Sequence, residues 1–200
     1  MGTVLISTFY SFEPLVAAAT RYSPSKIILL VSSSALSGKD KEKVKASIDR
    51  AKEVYGKVIS LTVKTVEEGD LLGIASMTVE LLKNEEGTKI INVSGGWKTL
   101  MQGVLYGCYA RPELVEKIVC NDLSKDGALL ELPKLSFSLS ATKKEVLQSI
   151  AERKGKSIPE IADSLKISRG MLYQHLKELK ENGYVDDKFY ITDAGRMALL

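Results

Sequence analysis

Two short stretches carry residues whose types and spacing suit the capture of an anion. The first is Asn92-Val93-Ser94-Gly95-Gly96-Trp97-Lys98-Thr99. Its paired glycines let the backbone turn tightly and come close to a ligand, and a predicted helix starts directly behind them. Free amides at a helix N-terminus favour negative charge. Lys98 adds a full positive charge, and Ser94 and Thr99 offer hydroxyls; Trp97 belongs either to this site or to the core. The second stretch is Ser7-Thr8-Phe9-Tyr10-Ser11, with three hydroxyls in Ser7, Thr8 and Ser11 and two rings, Phe9 and Tyr10, able to stack on a base. Together they describe a site for a phosphorylated, nucleotide-like ligand. Neither contains GxGxxG or a Walker loop, so redox-cofactor and P-loop chemistry are not expected.

A third stretch suits a different partner. Ile158, Ile161, Leu165, Ile167, Leu172, Leu176 and Leu179 are spaced to share one compact core across two helices joined by the turn Lys166-Ile167. With Leu172, Leu176 and Leu179 inward, Arg169, Gly170, Tyr173, Gln174 and Lys177 fall on the solvent face. Arg and Gln can pair two-pronged with guanine and adenine edges in a major groove. Ser168 and Lys166 are placed for phosphate. Residues 165–180 hold Lys166, Arg169, Lys177 and Lys180 against Glu178. Asp186 and Asp187, near the tip of the expected wing, would repel phosphate there. His175, the single histidine, reads as packing or a phosphate donor rather than a catalyst.

The elements that must position these residues follow from periodicity. Val4–Ser7, Lys26–Val31, Val58–Val63 and Lys89–Val93 read as buried parallel strands. Ser11–Arg21, Lys39–Tyr55, Leu71–Lys83 (capped by Asp70) and Trp97–Ala110 read as the helices between them. Glu116–Asn121 and Ala128–Leu132, joined by the turn Ser124-Lys125-Asp126-Gly127, are expected to form an antiparallel hairpin. Strand–helix alternation of this kind predicts an α/β fold with a doubly wound, mostly parallel Rossmann-like sheet. In the order 3-2-1-4 the first and fourth strands meet at the switch point where such sheets bind ligands. Both anion-binding stretches leave from those two strands.

From about residue 134 the texture changes. Residues 134–140 read as a Ser-rich linker, and 141–200 as a C-terminal winged helix-turn-helix domain following an N-terminal domain of 1–133. Its helices are expected at Thr142–Lys154 (with a Thr142/Glu145 capping box), Ser157–Leu165 (Ser157/Glu160), Ser168–Asn182 and Asp193–Leu200, with the wing formed by Tyr184-Val185 and Lys188–Thr192.

Composition bounds the rest. The 200 residues are 44% hydrophobic and 26% charged with a net charge of +3, as in ordinary globular proteins. That excludes disordered tails and disulfide-rich miniproteins. Cys108 and Cys120, twelve apart, match no metal or redox pattern. No apolar run is long enough to span a bilayer, and the N-terminus lacks a signal peptide's basic flank, so a cytoplasmic protein is expected.

Taken together, Leu5-Ile6-Ser7-Thr8-Phe9, Asn92-Val93-Ser94-Gly95-Gly96-Trp97-Lys98 and the winged helix resemble the CRISPR-associated transcription regulators. These join a Rossmann-like ligand domain, the CARF domain, to a winged helix-turn-helix. The resemblance implies a homodimer in antiviral defence that binds a cyclic oligoadenylate, usually the tetra-adenylate, across its two-fold axis and double-stranded DNA at a palindromic promoter site. It implies that Ser94, Gly95, Gly96 and Lys98 hold phosphates and that Thr8, Phe9 and Tyr10 line the adenosine site. No cofactor is implied beyond that ligand. Family members often carry Arg where Lys98 stands; Lys keeps the charge and loses the fork geometry. Two other readings remain open: a ring nuclease that cleaves the cyclic ligand, and a winged-helix regulator of another anionic metabolite.

Overall fold

The computed structural model describes residues 2–67, 69–122, 128–135, 137, 139–153 and 157–200. The chain divides into two compact units, 1–136 and 137–200.

The N-terminal unit alternates strands and helices in the order β1 (Thr3–Thr8), α1 (Glu13–Tyr22), β2 (Lys26–Ser32), α2 (Ser33–Ser37), α3 (Lys41–Tyr55), β3 (Ser60–Val66), α4 (Leu71–Asn84), β4 (Thr88–Asn92), α5 (Lys98–Ala110), β5 (Lys117–Asp122) and β6 (Ala128–Leu132). The strands form one sheet in the order β3-β2-β1-β4-β5-β6. All neighbours are parallel except β5 and β6, which are antiparallel as the short link between them requires. The predicted turn at 124–127 lies outside the described residues.

Apolar runs in β1 and β2 bury both faces of the sheet, and their alternate residues enter two cores. Leu5, Ile27 and Leu29 pack with Leu15 and Ala18 of α1 and Val44, Ile48 and Ala51 of α3. Ile6, Ile28 and Leu30 pack on the other face with Ile74 and Leu82 of α4 and Leu100 and Val104 of α5. Each fully buried Leu or Ile contributes about 1.5–3 kcal/mol, so these runs hold the sheet in register. Helices α4 and α5 approach closely because Gly103 lies on Ile74 and Gly107 on Ala75 and Thr78; a Cβ on Gly107 would fall 2.6 Å from the Thr78 Cβ. Burial pushes the Cys108 thiol up to about 12, which keeps it inert.

Several boundaries differ from the sequence reading. Strand β3 starts at Ser60 rather than Val58, because the amides of Val58 and Ile59 bond back to the Tyr55 carbonyl as α3 ends. As the sheet's edge it alternates half-buried and exposed residues instead of forming a buried run. Helix α1 starts at Glu13 and α5 at Lys98, each later than expected, and α2 was not predicted.

The C-terminal unit comprises α6 (Ala141–Ala151), α7 (Ile158–Leu165), α8 (Arg169–Glu181) and α9 (Asp193–Leu199). Ser140, not Thr142, caps α6, accepting from the Lys143 amide. Residue 154, the expected end of that helix, lies outside the described residues. The Glu160 carboxylate closes the start of α7 by accepting from the Ser157 amide at 2.6 Å. Phe137 and Leu139, expected in the linker, pack against this unit's core. The wing's pairing is reduced to a single antiparallel bridge, Val185 to Ile191. No helix among the described residues is long and apolar enough to cross a membrane.

Candidate functional sites: a ligand cleft and a nucleic-acid interface

Strands β1 and β4 lie side by side, so the two stretches that leave their carboxyl ends are neighbours. They touch through Gly95. A Cβ there would stand 2.9 Å from the Thr8 carbonyl oxygen and 3.2 Å from the Phe9 Cα and the Tyr10 nitrogen, so only glycine lets the second stretch lie on the first. Gly96 has φ +86°, a conformation L side chains resist, and turns the chain into α5. Trp97 is the N-cap residue of α5 and supplies no side-chain cap, and Lys98 opens the helix. Lys98 is exposed and forms no ion pair among the described residues.

A buried polar network fixes this arrangement from below. The Asn92 side-chain amide donates to the Ser7 hydroxyl at 3.0 Å. Ser94 Oγ donates to Asn92 Oδ1 or to Asn121 Oδ1, the latter at 2.6 Å, and accepts the Asn121 amide at 2.9 Å. Thr8 Oγ1 donates to the Asn92 carbonyl at 3.5 Å. Three strand ends, β1, β4 and β5, are thereby tied together. Asn92 and Asn121 were not among the predicted site residues. Their signal was weak because an Asn at a strand end also reads as a turn residue.

Above this network opens a cleft of about 240 Å³ lined by Tyr10, Asp40, Gly96 and Trp97. Trp97 is 47% exposed, which removes it from the core and leaves its indole for a ligand. Phe9 is 1% exposed and packed in the core beneath α1 and α3, so its ring is not free to stack on a base. Ser7 and Thr8 are likewise buried, and Ser11 and Thr99 are half-buried. Lys43 Nζ lies 5.4 Å from the centre of the Tyr10 ring. Desolvation, and after it the Asp40 carboxylate, pushes the Tyr10 phenol up. Asp40, contributed by the segment after β2, was missed because nothing local distinguishes it from a helix cap. Among the described residues no cluster of His, Cys, Asp or Glu could hold a metal ion.

The second surface lies on α8. Leu172, Leu176 and Leu179 are buried against Val146, Leu147 and Ile150 of α6 and Ile161 and Ala162 of α7. Lys166, Ser168, Arg169, Gly170, Tyr173, Gln174 and Lys177 are all exposed on the opposite side. Lys166 adopts φ 54° and ends α7, making the tight turn between the two helices. Ser168 Oγ accepts the Met171 amide at 3.2 Å, which caps α8 and leaves its hydroxyl proton for a phosphate. Gln174 donates to Glu178 at 3.4 Å, a long bond between two surface side chains. Both ring nitrogens of His175 are shut away from solvent, so it packs and does not reach a phosphate.

The two wing aspartates have other work. Asp186 Oδ1 accepts the amides of Lys188 and Tyr190 and so builds the turn. Asp187 pairs with Lys180 at 2.8 Å, which neutralises both and holds its carboxyl below the usual range.

Residues 140–187 match the arsR family of bacterial regulatory proteins. No curated protein matches the chain in sequence. Among solved structures, Csm6 of Enterococcus italicus bound to cyclic hexa-2'-fluoro-hexa-dAMP is similar, with a TM-score of 0.55 at 11% identity over 92% of this chain and 56% of that one. Can2 of Sulfobacillus thermosulfidooxidans in complex with cyclic tetra-adenylate gives 0.48 at 17% identity over 99% and 63%. A type III CRISPR defence DNA nuclease activated by cyclic oligoadenylate gives 0.45 at 13% over 90% and 34%. The chain spans less than two thirds of the length of each. The chain therefore joins a Rossmann-like α/β domain to a helix-turn-helix similar to those of the arsR family of bacterial regulatory proteins.

Proposed function

We propose that the chain is a CRISPR-associated transcriptional regulator that works as a homodimer. Its paired N-terminal domains bind one ring of cyclic oligoadenylate, cyclic tetra-adenylate first among the candidates. The ring sets the affinity of two recognition helices for a palindromic duplex site. The observation that carries this reading is the meeting of the β1 and β4 stretches through Gly95, which sets a free helix N-terminus and Lys98 beside a cleft with an exposed indole.

Anion and aromatic base are the two halves of a nucleotide, and the cleft offers a partner for each. Two copies of such a site related by a two-fold axis suit a ligand that is itself a symmetric ring. Csm6, whose fold is similar, was solved with a cyclic hexanucleotide, which supports a ring rather than a mononucleotide. The exposed face of α8, with a core behind it, has the form of a helix that enters a major groove. Coupling of about 1–3 kcal/mol between ring and duplex would change duplex affinity by about 5- to 150-fold.

Fluorescence anisotropy with a duplex from the chain's own promoter, titrated with and without cyclic tetra-adenylate, tests the reading. The expected result is duplex binding whose affinity shifts on adding the ring and not on adding linear tetra-adenylate. Duplex binding indifferent to both would refute ligand control.

A further inference from the structure

Glycine inside a helix carries a conformational cost that alanine avoids, so it ordinarily marks a place where a Cβ would not fit. Among the described residues every glycine but one has a structural reason of this kind: either its φ is positive, or a Cβ on it would stand closer than 3.0 Å to another atom. The exception is Gly170. It lies in the first turn of α8 without a positive φ, and a Cβ there would meet nothing within 4 Å. The folded chain supplies no reason for the missing side chain; something that approaches α8 from outside can supply one.

The place of Gly170 on the helix says what that is. At about 100° per residue, Gly170 and Gln174 fall at the middle of the face opposite the buried Leu172, Leu176 and Leu179. Met171 borders Gly170 there, 48% exposed and outside the core behind α8. Bare backbone and a thioether thus make an apolar notch in a surface that otherwise presents Lys166, Arg169, Gln174 and Lys177. Those cations suit a duplex. At the base edges of a major groove every group is a hydrogen-bond donor or acceptor except one, the 5-methyl of thymine.

We propose that Gly170 and Met171 together take the 5-methyl group of a thymine. The bare Gly170 backbone lets the base edge come close, and the Met171 side chain packs on the methyl. The inference deepens the proposed function and rests on its duplex-binding half. The alternatives fit less well. Cytosine has no methyl and would turn its 4-amino donor toward carbon, and a purine would turn its N7 acceptor there; each would lose water without gaining a partner.

The test uses the full-length protein and two duplexes of its own promoter, one ordinary and one with deoxyuridine in place of every thymidine. The wild type should bind the thymidine duplex more tightly in fluorescence anisotropy, by about fourfold for each methyl group buried. Met171→Ala should bind the two duplexes nearly alike, and Met171→Leu, which stays apolar, should keep the preference. Gly170→Ala fills the notch and should weaken binding of the thymidine duplex by about tenfold. It should unfold no earlier than the wild type, because the added Cβ touches nothing in the free protein. Equal affinity of the wild type for both duplexes, an undiminished preference in Met171→Ala, or undiminished thymidine-duplex binding by Gly170→Ala would each overturn the proposal and leave duplex binding standing. Earlier unfolding of Gly170→Ala would overturn it too, by giving the glycine a role inside the fold. No binding of either duplex by the wild type would remove the duplex reading, and the methyl notch with it.

Discussion

On α8, Arg169, Tyr173, Gln174 and Lys177 stand in solvent with a continuous apolar core behind them, whereas at the ends of β1 and β4 Ser7, Thr8, Phe9 and Gly95 are buried. The difference fits the size of the two proposed partners. A duplex lies wholly outside the protein, so side chains must project from a rigid helix to read it. The proposed small ligand would sit in a cleft lined by Tyr10, Asp40, Gly96 and Trp97, beside strand ends tied by polar groups already bonded to each other. Ser94 illustrates this: its hydroxyl ties Asn92 to Asn121 and so positions the Gly-Gly turn. In the proposed site the groups left to meet a phosphate are then the backbone and Lys98 rather than Ser94 itself.

Substitutions that break this contrast rank by how much packing they disturb. Leu176→Ala removes the 0%-exposed centre of the core behind α8. It should destabilise the C-terminal unit by about 2–5 kcal/mol in urea unfolding and abolish duplex binding with it. Gly95→Val should come next. Its side chain must push the β4 stretch off Thr8 and Tyr10, costing about 1–3 kcal/mol of stability and most of the ring affinity by calorimetry.

Two milder variants sharpen the comparison because each touches one region only. Arg169→Ala should weaken duplex binding by about 1–3 kcal/mol in anisotropy and leave ring binding unchanged. Lys98→Ala should weaken ring binding by about 1.5 kcal/mol and leave duplex binding without the ring unchanged. Loss of duplex binding in Lys98→Ala, with its fold intact and no ring present, would contradict this division of labour.

The smallest effect is electrostatic. Lys180 lowers the pKa of Asp187 below its unfolded value, so the pair braces the turn above the usual carboxylate range. That brace is lost as pH falls through the depressed folded value. NMR titration of the Asp187 carboxyl should follow this course, and Lys180→Ala should return it to the ordinary range.

How much of this could be read from sequence also differs between the regions. On α8 the period of 3.6 separates Leu172, Leu176 and Leu179 from the reading face without further information. The strand order likewise followed from βαβ connections, and with it the neighbourhood of the two anion-binding stretches. Roles inside the cleft were not legible. Phe9 looked like a stacking ring, but it follows β1 into the core under α1 and α3. Asp40 lines the cleft from the segment after β2, Asn92 and Asn121 meet at Ser94 from the ends of β4 and β5, and no local pattern records a contact across 85 residues of chain such as that from Asn92 to Ser7. Boundaries failed where a helix exit imitates a strand, as at Val58, or where a serine outside the expected helix caps it, as at Ser140.

The most direct measurement is titration calorimetry of the full-length protein with cyclic tetra-adenylate, with linear tetra-adenylate as the control. Tight binding of one ring per two chains, and none of the linear form, is the predicted result. Absence of heat with the ring, or saturation at one ring per chain, would contradict a ligand site shared across a two-fold axis.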